Sequence, residues 1–303
     1  MPCGARTCDQ FGAFRAMKLI VGIITVFVCV LGGYAAMGGK LGVLWQPFEG
    51  VIILGAALGA FIIANPGTVI KQMGGAMGTL MKGSPYNKDS YLELLSCLFQ
   101  FFKLAKAKGN LALEAHVENP HDSEIFKQFP SVASDHHAVD FICDYIRLIT
   151  LGTENPHEME ALMDEELETH HNERHQLVDA MQALADGTPA LGIVAAVLGV
   201  IKTMGSINEP PEVLGKLIGG ALVGTFLGVF VAYGFFAPMT ASLKATYDAE
   251  AKYYQCIKAA ILAHLSGYPP AVSVEFGRKA LLSDTRPTFA ELEEKTGSLP
   301  QPA

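Results

Sequence analysis

The chain has 303 residues, 50% of them hydrophobic and 17% charged, with a mean hydropathy of +0.30 and a formal net charge of −8. That balance is too apolar for an ordinary soluble domain and too acidic for a nucleic-acid partner, so an integral membrane protein is expected. The six cysteines (Cys3, Cys8, Cys29, Cys97, Cys143, Cys256) show no paired metal-type spacing, and Cys29 lies inside an apolar run, so reduced thiols and core packing are expected rather than a disulfide framework.

Residues 1–16, MPCGARTCDQFGAFRA, lack periodicity and read as an N-terminal extension, either an over-extended start or a disordered tail. Four apolar runs follow, at 19–37, 50–70, 189–208 and 217–243, the third interrupted only by Lys202. Each approaches or exceeds the ~20 residues a helix needs to cross a ~30 Å hydrocarbon core. The first run is too long for a signal peptide and lacks a small-x-small cleavage site, so it is expected to anchor the chain.

The loops differ in size: 38–49 and 207–213 are short, whereas 71–186 and 244–303 are long and hydrophilic. With four spans both long parts lie on one side. Arg15, Lys18, Lys71, Lys82, Lys88, Lys244, Lys252 and Lys258 border that side, against Lys40, Lys202 and Lys216 in and near the short loops. The positive-inside rule therefore makes both long parts, and both termini, cytoplasmic. The expected fold is all-α: four transmembrane helices, a large helical cytoplasmic domain between spans two and three, and a cytoplasmic C-terminal helical segment. The domain limits are 17–70 for the first two spans, 71–188 for the cytoplasmic domain, 189–243 for the second pair and 244–303 for the C-terminal segment.

Between spans two and three, residues 66–188 carry nineteen acidic against nine basic side chains. The stretch SYLELLSCLFQFFKLAKAKGNLALEAHVE, 90–118, has helical apolar spacing through Leu104. Lys108-Gly109-Asn110 then ends one helix and starts another, with Asn110 as the expected N-cap. This puts Lys106 in the last turn of the first helix and Glu114 in the first turn of the second. Helix dipoles favour both placements, which also expose a basic and an acidic group at one corner for a charged partner.

NPHEMEALMDEELETHHNERHQLVDAMQALADGTP reads as one acidic helix from about Pro156 into span three, polar all round and clear of the membrane. Within it, His171 and His175 have i,i+4 spacing beside Glu168 or Glu166, the pattern of metal ligands, and His170 adjoins them. Histidines among glutamates on a solvated helix face are the plainer explanation, because no HExxH motif is present. No Ser-His-Asp signature, phosphate loop or dinucleotide fingerprint appears, so neither an enzyme nor a cofactor or metal is expected.

Span four carries a small residue every four positions, at Gly215, Gly219 or Gly220, Gly224 and Gly228; Gly55 and Gly59 form a weaker stripe in span two. Such stripes let helix backbones approach closely, within a subunit or between subunits. Thr225 lies mid-span, and a threonine there usually bonds back to its own helix, although facing water its hydroxyl would serve an ion. Neither 189–208 nor 217–243 contains an Asp or Glu. Cation translocation generally needs an intramembrane carboxylate, so the acid is expected on another polypeptide. Pro189 fits the first turn of span three, and Pro238 interrupts the inner part of span four.

PALGIVAAVLGV, VGTFLGVFVAYGFFAP, EALMDEELETH, LGGYAAMGGKLGVLWQP and PPAVSVEFGRKAL together resemble the MotA family of flagellar motor stator subunits, within the MotA/TolQ/ExbB proton channels. The resemblance runs from about Met17, where family members usually begin, to Glu294. It implies a homopentamer around two MotB chains that supply the ion-binding aspartate, in the bacterial inner membrane. It also implies a proton channel driving flagellar rotation through the rotor protein FliG. By resemblance Pro189 and Pro238 couple ion flow to cytoplasmic movement, Ala196, Thr225 and Tyr233 line the ion path, and Lys106 and Glu114 face the rotor. The family has arginine at the position of Lys106; lysine keeps the charge but loses the bidentate fork. The nearest alternative is a TolQ/ExbB-like energiser, which has three spans and no charged corner.

Overall fold

A computed structural model describes residues 17–153 and 155–300, so the N-terminal extension with Cys3, Cys8 and Arg15 lies outside the described residues. Every regular element among the described residues is helical. Helix α1 spans Met17–Ala36 and contains one π-turn at Val28–Gly32. A 3-10 turn at Leu41–Leu44 leads to α2, Pro47–Ala64. Pro47 opens α2 because its fixed φ suits the first helical position and its missing N–H has no partner there anyway. Trp45 and Phe48, 80% and 83% exposed at this end, are placed as membrane-interface aromatics.

The second span differs from expectation at both ends. It begins three residues before Gly50 and stops at Ala64, because Pro66 forces Asn65 into extended backbone (φ −117°, ψ 142°). Ile70 therefore belongs to a separate helix, α3, Gly67–Lys82.

Among the described residues, 84–172 and 247–300 form one compact unit; 17–83 and 173–246 form another. The first joins the two long hydrophilic parts, as their expected placement on one side requires. It begins with α4, Lys88–Lys108, whose start is capped by the Asn87 side chain accepting from Ser90 N–H at 2.9 Å. Short helices follow at α5, Glu114–Glu118; α6, Glu124–Lys127; and α7, Pro130–Ala133. Then come α8, His136–Thr150, and α9, Pro156–Met204. The spacing of Tyr91, Leu94, Leu98, Phe101 and Phe102 gives α4 one fully buried face, packed in a core with Ile142 and Ile146 of α8.

Fourth-span residues lie in α10, Pro211–Val231, which passes through a π-turn at Ala232–Phe236 into α11, Ala237–Leu265. Ala237 N–H reaches back five residues to Ala232 O, just before Pro238, which has no N–H to continue the ladder. Tyr253, Ile257 and Ile261 of α11 complete the core of the first unit. The chain ends with α12, Pro270–Lys279, and α13, Phe289–Gly297. In α12, Gly277 is required by close approach: a Cβ there would lie 2.9 Å from Cys256 O. Cys97, Cys143 and Cys256 are buried and unbridged, and Cys29 is an exposed thiol in α1.

The acidic helix is not polar all round. Met159 and Met163 of α9 are buried in the core of the first unit and Leu167 packs against it. The i,i+4 spacing of these three gives the apolar stripe that the density of Glu and Asp conceals.

α13 is tied down electrostatically. Lys88 Nζ lies 2.7 Å from Glu291, and Thr288 and Glu291 form a capping box. These donors, Lys88 first, hold the Glu291 carboxyl down at about 2. A depressed carboxylate stabilises the folded state above its ordinary pKa, and that contribution disappears as pH falls through the folded value. Pepsin cleavage within 289–297 should therefore rise as pH is lowered from about 4 towards 2. In Glu291→Gln this pH step should vanish, with cleavage elevated throughout; an unchanged step would reject the assignment.

Candidate functional site

The seam between spans three and four is built from residues without side-chain bulk. A Cβ on Gly192 of α9 would lie 2.9 Å from Gly228 Cα, and one on Gly199 would lie 2.7 Å from Ala221 Cβ. A Cβ on Gly224 would lie 3.0 Å from Ala196 N. The backbones thus touch over two helical turns, which small residues alone permit. The stripe is used selectively: Gly215, Gly55 and Gly59 have nothing within 4 Å of a Cβ.

This packing sets Ala196 beside Gly224, the chain neighbour of Thr225. Thr25, Thr188, Thr203 and Thr240 each donate to the carbonyl four residues earlier, at 2.6–2.9 Å. Thr225, half-buried, makes no such bond, nor any other side-chain hydrogen bond among the described residues. Its hydroxyl is therefore open to a ligand.

Pro189 lies inside α9 rather than at the start of a helix, so its missing N–H does leave the Ala185 carbonyl without its helical donor. The preceding residue, Thr188, touches the seam: its carbonyl is 3.1 Å from a Cβ placed on Gly228. Pro238 follows the π-turn and borders a cavity of about 470 Å³ with Lys18, Phe235 and Ser242. Tyr233, inside that turn, is 64% exposed and forms no ring contact or hydrogen bond among the described residues.

One polar residue escaped the sequence reading. Glu49 occupies the third position of α2, and its side chain enters the seam. Oε2 would sit 2.6 Å from a Cβ on Gly224, and Oε1 3.4 Å from one on Gly199. The usable signal was Pro47, since proline at the first helical position with an acid two residues later marks a helix start.

In the other unit, Lys106 lies in the last turn of α4 and Glu114 in the first turn of α5, both exposed. They are separated by Gly109 (φ 86°) and a 3-10 turn at Asn110–Leu113. Asn110 is not the N-cap; Leu113 holds that position, because the 3-10 turn runs straight into α5. No salt bridge joins Lys106 to Glu114 or to any other described residue.

The histidines of α9 do not form the metal-type cluster that their spacing allowed. His170 Nε2 lies 3.5 Å from Glu250 and its ring packs on Tyr254, while Glu166 accepts the Tyr145 hydroxyl at 2.5 Å. No group of three metal-type ligands is present among the described residues.

Comparison with known proteins places these features in context. Residues 20–109 match the family described as motility protein A N-terminal, and 135–256 match the MotA/TolQ/ExbB proton channel family. Motility protein A of Escherichia coli is 44% identical over 286 residues, covering 94% of this chain and 97% of its own. The flagellar MotAB stator complex from Bacillus subtilis has a chain of 26% identity and TM-score 0.70, covering 87% of this chain and 94% of that one. The C. jejuni MotAB structure shares the fold at 21% identity and TM-score 0.74, covering 88% and 96%.

Proposed function

The chain belongs to the MotA family of flagellar motor stator subunits, and from that premise we propose that five copies surround two MotB chains in the inner membrane, with both termini cytoplasmic. MotB supplies the aspartate that spans three and four lack. The observation that carries the reading is the open Thr225 hydroxyl, which makes no hydrogen bond among the described residues and so offers a passing ion a ligand beside the seam of spans three and four. One proton crossing supplies ~2.3 kcal/mol per 100 mV of membrane potential. Protonation of the MotB aspartate changes its fit against Thr225 and Ala196, and the ring of five turns around MotB. Pro189, the Pro238 π-turn and Tyr233 carry the movement to the cytoplasmic unit, and Lys106 and Glu114 pass torque to FliG. The four helices of membrane-crossing length favour this reading over the three-span energiser alternative.

Two measurements test it. Swimming should stop with a protonophore and persist without sodium; the reverse would make sodium the driving ion. Lys106→Glu should impair swimming far more than Lys106→Arg, because only the first inverts the charge offered to acidic groups of the rotor. Equal swimming in both variants would remove the charge contact.

A further inference from the structure

We infer that Glu49 is a proton-accepting carboxylate supplied by this chain itself, set in the seam of spans two, three and four on the side of the short loops. The inference rests on the reading that the seam is the ion path and extends it to the outer approach.

An acid in the first turn of a helix is ordinary, since the helix dipole favours it. The direction of this one is not. Glu49 Oε2 is shut off from solvent and receives no hydrogen bond among the described residues. A carboxylate oxygen buried at a membrane segment without a donor is costly and is retained where it has work to do. The space it fills exists because Gly199 and Gly224 have no side chains: a methyl at Gly224 would overlap Oε2.

The surroundings contain one charge. From α9, Lys202 is the ionised group whose field reaches Glu49, yet no salt bridge forms between them. From α10 the facing residue is Gly224, and the turn Leu41–Leu44 offers no titratable side chain. Gln46 lies against Gly220, with its amide donating to Val43 O at 3.4 Å. Glu49 thus has one positive charge nearby and no fixed donor on its inner oxygen.

The step is a proton relay. A hydronium ion from the outer side gives its proton to Glu49 and leaves as water, and the carboxylate becomes a neutral acid. The neutral acid passes that proton through water to the MotB aspartate and is ionised again. Gly224, which makes room for Oε2, directly precedes Thr225 in α10, so the glutamate and the open hydroxyl sit at the same level of the span, about 100° apart round the helix.

The test uses the co-purified complex of this chain with MotB in lipid vesicles, with proton uptake followed by a pH-sensitive dye under an imposed potential. Glu49→Gln keeps the shape and removes the titration; uptake at external pH 7 should fall by roughly tenfold or more, the lower end of what a positioned acid–base group supplies, and lose its dependence on external pH. Glu49→Asp should keep uptake with a displaced pH midpoint. Parent-like uptake and pH dependence in Glu49→Gln would overturn the inference. If that variant fails to co-purify, Glu49→Asp decides, and an unmoved midpoint overturns it equally. Thr225→Val separates the two levels: normal uptake there rejects the seam as the path, whereas normal uptake in Glu49→Gln alone rejects only the relay.

Discussion

Thr225→Val should abolish swimming while the complex with MotB still assembles. Valine matches threonine in shape, so the packing around α10 is kept and only the hydroxyl is lost. In a site shut off from bulk water, a hydroxyl bound to a charged group contributes about 1.5–3 kcal/mol, which is a tenfold loss or more in ion occupancy. Thr225→Ser restores the hydroxyl and should swim at close to the parental rate. Thr203→Val is the control. That hydroxyl already bonds Gly199 O at 2.9 Å within its own helix, so its removal takes nothing from an ion. Swimming by Thr225→Val, or equal defects in the two valine variants, would sink the assignment.

Gly228→Ala should be the most damaging single-methyl change in the membrane unit. The new Cβ would lie 2.7 Å from Gly192 Cα and 3.1 Å from Thr188 O, and these are backbone atoms that cannot rotate away. Spans three and four must separate, at a cost of about 1–3 kcal/mol for overpacking. Gly215→Ala on the same helix meets nothing within 4 Å, so only the gain in helix propensity, up to about 1 kcal/mol, remains. Thermal unfolding of the purified chain in detergent should place the two variants on opposite sides of the parent. Two shifts of the same sign would mean that the seam is not packed as described.

The sequence made the spans legible because apolar length is a property of composition, and it made the stripe at Gly220, Gly224 and Gly228 legible because small residues recur with helical period. It did not tell which glycines are in contact. Gly215 continues the same pattern and touches nothing, since contact depends on where the neighbouring helix passes. Glu49 was hidden by a boundary drawn three residues late. Hydropathy excludes a charged residue from a span, whereas the helix starts at Pro47 and takes the acid in with it. Pro189 looked like a beginning because proline suits a first turn, but the helix is continuous through it. The buried face of α9 was masked in the same manner, by an acidic density that averages over all sides of the helix. The open hydroxyl of Thr225 was beyond reach, because Thr203 and Thr225 read alike until their bonds are seen.

The π-turn at Ala232–Phe236 also fixes an arithmetic relation along the fourth span. Each residue of an α-helix advances the direction of its side chain by about 100°, so the extra residue held in a π-turn offsets everything after it by about that angle. Gly224 and Gly228 before the turn, and Thr240 and Leu243 after it, therefore stand on faces that a count along one unbroken α-helix would misplace. The span is counted as well as composed: deleting one residue from 232–236 would close the π-turn into an ordinary α-turn and leave the faces on both sides aligned as they are.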